Sequence, residues 1–317
     1  MPEHRATPPA SLLAPSRFLL VVPCHNCARY IGACLDSLQA QTFTGWTALV
    51  ADDCSTDGTA ARVRPYLDDP RIRLRVGAER AWLMGNTLAA LRSLHPGPAD
   101  VVAVIDGDDW LAPACLERLW ERHRAGYDLV YADDVVEGGG HSVGRPFIRT
   151  APVRAQAWCF SHPRSLKGYL FNLLPDETFR DQGGDYFRSA GDLSLLLPAA
   201  ELAGPEKIAF VDEPLYHYRV HDRCNFLVRR EEQMRNNLAI RSRPPLARQT
   251  VHFDFVHVTD RLEKSGIGAL ADAVRAAHPL PFTVNIRHRI AADQADNWRP
   301  YHNLWVAEGV YLGAEIV

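Results

Sequence analysis

Apolar positions in the first third of the chain come in short unbroken runs. Phe18 to Val22, Trp46 to Ala51 and Val102 to Ile105 each stop abruptly at a polar loop. Runs this short and this apolar predict strands buried on both faces of a sheet. Between the first two, Ile31, Leu35 and Leu38 recur at helical spacing, so strand, helix and strand form a βαβ unit. Asp128 to Ala132 predicts another core strand, and LSLLLPAAELAG after Asp192 a buried helix whose start Asp192 would cap. Further on the period changes to two. VDEPLYHYRVHD (Val211 to Asp222), VHFDFVHV (Val251 to Val258) and FTVNIRHRI (Phe282 to Ile290) alternate as half-exposed strands do. The expected organisation is α/β: a Pro- and Ala-rich disordered tail over residues 1–16, a main domain over 17–228, and a small α/β appendage over 229–317. In that appendage, exposed alternation explains His252 and Asp254 better than metal ligation does.

The loops that end the three apolar runs carry the candidate chemistry. They read PCHN (Pro23 to Asn26), DDCSTDGT (Asp52 to Thr59) and DGDD (Asp106 to Asp109). Three carboxylates around one glycine repel one another unless a cation sits among them. Mg²⁺ and Mn²⁺ take oxygen ligands, and usually bind through one or two carboxylates plus substrate phosphates. Gly107 lets the chain turn between the acids. The bland alternative is a solvated acidic turn that caps the next helix, and Asp109 is expected to cap one beginning near Pro113. Asp57 is expected to satisfy the first turn of a helix after Gly58. Open α/β sheets hold their ligands outside the carboxyl ends of the strands, so all three loops should meet in one crevice.

In this order, VVPCHN, VADDCSTDGT and VAVIDGDDW resemble the inverting family 2 glycosyltransferases of the GT-A fold, over residues 18–221. The resemblance implies a Rossmann-like, mostly parallel open sheet with flanking helices. It also implies transfer of a sugar from a nucleotide-diphosphate donor, UDP-linked first of all, with Mn²⁺ or Mg²⁺ as cofactor. By the same resemblance Pro23 and Asn26 line the nucleotide pocket, Asp53 accepts from the base edge, and Asp52 is structural. Asp108 ligates the metal, and Asp106 touches the ribose or a metal-bound water. Asp192 is the general base, with Asp185 of GGDYF as runner-up. Near the end of the matched region, His221 completes the metal shell and Arg219 pairs with the diphosphate, while His217 is structural. Three departures stand out. Cys24-His25 stands where the family often has a small residue then Tyr, Met84-Gly85-Asn86 replaces the usual Ala-Arg-Asn, and Gly191 replaces the Glu that commonly precedes the base.

Composition narrows the partners. The 317 residues are 47% hydrophobic and 23% charged with net charge −3, enough for a full core and without the basic footprint of a nucleic-acid binder. No apolar run approaches the ~18 residues of a transmembrane segment, and the N-terminus lacks a signal peptide's core, so a cytoplasmic protein is expected. Seven cysteines suit a reducing compartment, and Cys24-His25-Asn26-Cys27 offers a rival redox or zinc chemistry. The acceptor stays open among glycan, small molecule and peptide, and the appendage either shapes the acceptor site or makes a homodimer. Residues 167–179 are expected to wall the acceptor cleft, with Trp158 and Tyr169 either stacking on a sugar face or packing the core. Asp133-Asp134 is expected in a flexible loop or hairpin without chemistry. Two other functions fit such a sheet: a sugar-phosphate nucleotidyltransferase, which should carry a glycine-rich basic loop that PCHN is not, and a degenerate nucleotide-binding module, for which loss of the base would be the clue.

Overall fold

The computed structural model describes residues 15–140, 142–222 and 224–247, and beyond them the backbone of three strands. The first apolar runs form β1 (Phe18–Cys24), β2 (Trp46–Asp52) and, after β3 (Ile72–Val76), β4 (Val101–Val104). These four pair in parallel in the order β3-β2-β1-β4. Between them lie α1 (Ile31–Gln39), the short α2 (Thr59–Val63) and α3 (Trp82–Leu94).

Strand alternation splits the core between the two faces of the sheet. Phe18, Leu20 and Val22 join Ile31, Leu35 and Leu38 of α1, whereas Leu19 and Val21 join Leu88 and Leu91 of α3. Burying each such aliphatic side chain contributes roughly 1.5–3 kcal/mol. Both faces are covered, which is why these strands are apolar at every position.

Past β4 the sheet becomes mixed. Its order continues β7-β6-β8-β5, with β5 (Trp110–Leu111), β6 (Leu129–Glu137), β7 (Arg164–Lys167) and β8 (Ile208–Arg219). β7 runs antiparallel to both β4 and β6, and β5 antiparallel to β8. β6 outruns the expected strand and takes Asp133 and Asp134 into the sheet, with register shifts around Asp133. Beyond the shifts β8 stays paired with β6 through Arg219, and its other edge pairs His217 with Trp110, directly after the acidic turn.

Helices α4 (Cys115–Arg124), α5 (Gly168–Leu173), α6 (Gly191–Ala203), α7 (Asn225–Val228) and α8 (Arg230–Arg241) complete this unit. The unit extends from Pro15 to Leu246, so α8, which the sequence assigns to the appendage, belongs to it. Mostly polar side chains dock this helix. Arg241 Nη1 donates to the carbonyls of Arg154 (2.6 Å) and Gln156 (2.9 Å), and Asn236 Nδ2 donates to the Ser189 carbonyl (3.1 Å), with Ile240 buried beside them. A helix docked by hydrogen bonds leaves almost no apolar stripe to read. The expected acceptor-cleft wall also turns out differently: Leu170, Phe171 and Phe179 are core, and Tyr169 donates to Asp128 at 2.9 Å.

The second unit holds three parallel strands, β9 (Gln249–Val256), β10 (Phe282–Ile290) and β11 (Val310–Ile316), with β10 in the middle. Two of them are the alternating segments of the sequence, and β11 had no expectation. The helix expected between β9 and β10, the side chains of His252 and Asp254, and residues 1–14 lie outside the described residues. The Ser16 hydroxyl donates to Asp100 and its N–H to the Ala99 carbonyl, so the expected tail does not reach that far. Among the described residues no helix is long and apolar enough to cross a membrane.

Candidate active site

Adjacent β1 and β4 bring PCHN and DGDD side by side. Gly107 N–H donates to the Pro23 carbonyl at 3.1 Å, and a Cβ on Gly107 would stand 2.8 Å from the Cβ of Cys24. Close approach, beyond any need to turn, is what requires glycine here. PCHN and DDCSTDGT are laced together as well. Asn26 accepts from Thr56 N–H (2.9 Å), its own N–H donates to Ser55 Oγ (2.8 Å), and Asp57 accepts from Ala28 N–H and Thr59 N–H, both at 3.0 Å. His25 Nδ1 donates to the Asp53 carbonyl at 2.8 Å. The two loops are one unit.

Asp53 is buried, and its Oδ1 accepts from Ala81 N–H at 2.6 Å while Arg80 Nε lies 3.8 Å from Oδ2. Asp52 accepts from Ser55 N–H. Asn86, the last residue of the altered triplet, donates to the Ala51 carbonyl at 2.6 Å and so holds the end of β2.

The three acids of DGDD have three different surroundings. Asp109 does not cap α4, whose N-terminal flank is Ala114. It is nearly fully buried, accepting from the Tyr216 hydroxyl (2.9 Å) and from Arg219 N–H (2.7 Å), and so clamps the turn onto β8. Burial, with Asp108 and Asp106 adding their charge, pushes its carboxyl up to about 9. Asp106 N–H donates to the same Tyr216 hydroxyl at 3.1 Å; burial, then Asp108, raises the Asp106 carboxyl to about 7. Asp108 Oδ2 meets His221 Nε2 at 2.8 Å. His221 stacks on Tyr30, ring centroids 5.0 Å apart, and the Arg219 guanidinium lies 4.7 Å from the rings of both Tyr30 and Trp110. His217, as expected, is structural, stacked on Trp110.

A cluster of carboxyls whose ionisation is suppressed by burial and by one another suits a cation, which inverts that penalty. Among the described residues no group of three His, Cys, Asp or Glu side chains is arranged to hold an ion. The closest carboxylate–imidazole pair at the turn is Asp108 with His221. That set fits a metal completed by substrate phosphates and water better than a closed protein site.

Asp106 also faces a cavity of about 160 Å³ on the α3 side of the sheet. Asp192, in the first turn of α6, faces the same cavity, as do His162 and Arg164. Arg164 Nη1 holds Asp192 Oδ2 at 3.1 Å, and His162 Nε2 lies 3.6 Å from Asp106 Oδ2. Burial, then Arg164, keeps the His162 ring well below the usual histidine range. Asp192 does not cap α6, which follows Ala190 in the left-handed region (φ 58°). Asp185 is 76% exposed and lines no part of the cavity. Pro23, Asn26, Asp53 and Arg219 are not on its walls either. Sequence reasoning missed His162 and Arg164, which belong to no motif and enter from β7 and the segment before it.

The C-x-x-C chemistry has no support in this geometry. Cys24 and Cys27 are buried, and burial pushes the Cys27 thiol up to about 12 and that of Cys24 higher still. Thiolates do not form readily there.

A parallel half-sheet continued by a mixed one, with an acidic turn at the exit of β4 and a second carboxylate entering from α6, defines the GT-A fold. The chain belongs to glycosyl transferase family 2, whose sequence model matches residues 19–181. It is 28% identical over 171 residues to the putative glycosyltransferase EpsE of Bacillus subtilis, covering 47% of this chain and 59% of that protein. It is 28% identical over 213 residues to the O-antigen biosynthesis protein RfbC of Myxococcus xanthus, covering 63% of this chain but 16% of that one. The chain thus spans under two thirds of these relatives. Among solved structures it is similar in fold to glucosyl-3-phosphoglycerate synthase from Mycobacterium tuberculosis in complex with Mn²⁺, UDP-glucose and phosphoglyceric acid. There the TM-score is 0.53 at 20% identity, covering 72% of this chain and 81% of that one.

Proposed function

We propose that this protein is a divalent-metal-dependent, inverting glycosyltransferase that moves a sugar from a nucleotide-diphosphate donor, UDP-linked in the first instance, to an acceptor nucleophile. The observation that carries this reading is the shared cavity: Asp106 reaches it from the exit of β4 and Asp192 from the start of α6, while Asp108 beside them meets His221. Asp108 and His221 would hold Mn²⁺ or Mg²⁺. The ion, when bound, neutralises the charge that develops on the departing diphosphate. The acceptor oxygen forms its bond to the anomeric carbon as the bond from that carbon to the phosphate oxygen breaks. That electron pair leaves with the nucleoside diphosphate, and the acceptor proton passes to Asp192. Arg164 orients the Asp192 carboxylate, and orientation governs general-base catalysis before acidity does. Arg219, its guanidinium held between two rings, is assigned to the diphosphate. Asp53, with Pro23 and Asn26 in the neighbouring loop, is assigned to the nucleoside. The solved neighbour that shares this fold was captured with Mn²⁺ and UDP-glucose, which supports a metal and a nucleotide sugar as the ligand classes.

Calorimetric titration with UDP, GDP and dTDP, each with Mn²⁺ and with EDTA, tests the reading. Metal-dependent binding of UDP is expected. Absence of binding by every nucleotide in Mn²⁺ would overturn it.

A further inference from the structure

Three guanidinium groups gather on one ring at the start of α3. The guanidinium carbon of Arg80 lies 3.9 Å from the centroid of the Trp82 ring, that of Arg229 4.3 Å and that of Arg188 4.9 Å. They come from three separate segments: the loop before α3, the turn before α6 and the junction of α7 with α8. No two of these carbons can be farther apart than the sum of their distances to the ring, so the three cations lie within about one Debye length (~10 Å at 0.1 M) of one another. Their carboxylate partners compensate them unevenly. Glu232 pairs closely with Arg229, at 2.6 Å. Asp53 stands 3.8 Å from Arg80 and already accepts from Ala81 N–H, while Asp185 stands 4.0 Å from Arg188 on an exposed turn. Among the described residues neither the Arg80 nor the Arg188 guanidinium makes a hydrogen bond, and both are nearly half exposed, so two planar forks of donors stand open. Trp82 itself holds φ 60°, a left-handed conformation that a bulky residue rarely adopts and that the surrounding packing must maintain.

We propose that Trp82, Arg80, Arg188 and Arg229 form a platform for an anionic group, phosphate or carboxylate, carried by the acceptor. The proposal rests on the function proposed above and names the acceptor chemistry which that reading leaves open. Each of the three segments also supplies a wall residue of the cavity that Asp192 faces. Leu83 follows Trp82, Ala190 comes two residues after Arg188, and Gln233 lies one turn after Arg229, its N–H donating to the Arg229 carbonyl at 2.8 Å. The platform therefore borders the space in which the acceptor is deprotonated. The donor diphosphate is assigned elsewhere, to Arg219, which packs on Tyr30 and Trp110. Guanidinium forks match the paired oxygens of phosphate and carboxylate, and the indole offers an apolar face to the carbon skeleton that carries them. A neutral acceptor would leave three neighbouring cations without the charge that their grouping calls for.

The test titrates glucose 6-phosphate, glucuronate and glucose, at constant ionic strength, into protein already saturated with UDP and Mn²⁺. Wild type, Arg188→Gln and Arg229→Gln are compared, and melting temperatures confirm that the variants fold. Wild type is expected to bind at least one of the two anionic sugars roughly tenfold or more tighter than glucose, the scale of one charge-assisted hydrogen bond. The stronger of the two identifies the group as phosphate or carboxylate. Each variant should lose about tenfold of that affinity while its affinity for UDP stays within about twofold of wild type. Equal binding of all three sugars by wild type, with UDP binding intact, overturns the platform and leaves the proposed function standing. A preference for the anion that survives in both variants places it on the metal or another site and overturns the role of these arginines. Loss of UDP affinity in step with that of the anion assigns the arginines to the donor and also overturns the proposal. Failure of UDP to bind in Mn²⁺ overturns the proposed function, and the acceptor role with it.

Discussion

Gly191 and Met84 are packed so closely that a Cβ on Gly191 would lie 2.9 Å from Met84 Sδ and 3.4 Å from Met84 Cβ. Both belong to segments where the resemblance to the family breaks, and they touch. Without the structure, loss of an acid before Asp192 suggests a decayed site. In the structure it accompanies a larger residue on α3 that occupies the adjacent space, while Asp192 still faces the cavity. Gly191→Glu alone should therefore destabilise the fold by about 1–3 kcal/mol through overpacking. Adding Met84→Ala should recover much of that loss. A thermal-denaturation double-mutant cycle measures the coupling, and strictly additive effects would refute it.

Asp192→Asn preserves shape and a hydrogen-bonding group but cannot take the acceptor proton. Transfer should fall by roughly 10²- to 10⁴-fold with UDP affinity near wild type. Asp185→Asn, at an exposed turn, should leave turnover unchanged. Steady-state rates for the two variants check the assignment, and the opposite pattern would move the base to Asp185.

Asp108→Asn removes one anionic donor from the pair with His221. UDP affinity in Mn²⁺ should drop by about tenfold or more, equivalent to ~1.4 kcal/mol. Affinity in EDTA should be similar for wild type and variant. Unchanged affinity in Mn²⁺ would remove Asp108 from the metal site.

Acid sensitivity of the fold should trace in part to His123, far from this chemistry. It is fully buried on α4, with Nδ1 donating to the Tyr127 carbonyl (3.0 Å) and Nε2 2.9 Å from Ser165 Oγ. Burial, with the Lys167 charge adding, lowers its pKa to about 3. In the unfolded chain it titrates near 6.5, so between about 6.5 and 3 the unfolded state binds the extra proton and stability rises with pH. The slope from this one residue approaches ~1.4 kcal/mol per pH unit inside the window. Urea denaturation at pH 7 and pH 5 should show a shallower pH dependence for His123→Gln than for wild type, whatever its absolute stability. Equal slopes would count against it.

Much of this protein was legible in the residues themselves. Continuous apolar runs in β1, β2 and β4 report burial on both faces, a local property, and the loops at their ends announce the carboxyl edge of a parallel sheet. Asp106 and Asp108 could be singled out because their close spacing at a strand exit is written in sequence, whereas Asp192 came from the family resemblance alone. Other features were decided only in three dimensions. Asp109 looked like a helix cap, yet it clamps β8, because Tyr216 and Arg219 arrive from over a hundred residues away. Helix α8 was hidden because hydrogen bonds dock it almost without an apolar stripe, and hydrogen-bond partners leave no periodicity. The cavity wall of His162 and Arg164 arises where β7, α3 and α6 converge. Local pattern fixes which faces must be buried. Which distant side chains then share one desolvated space depends on strand order and helix packing, and these exist only once the chain has closed.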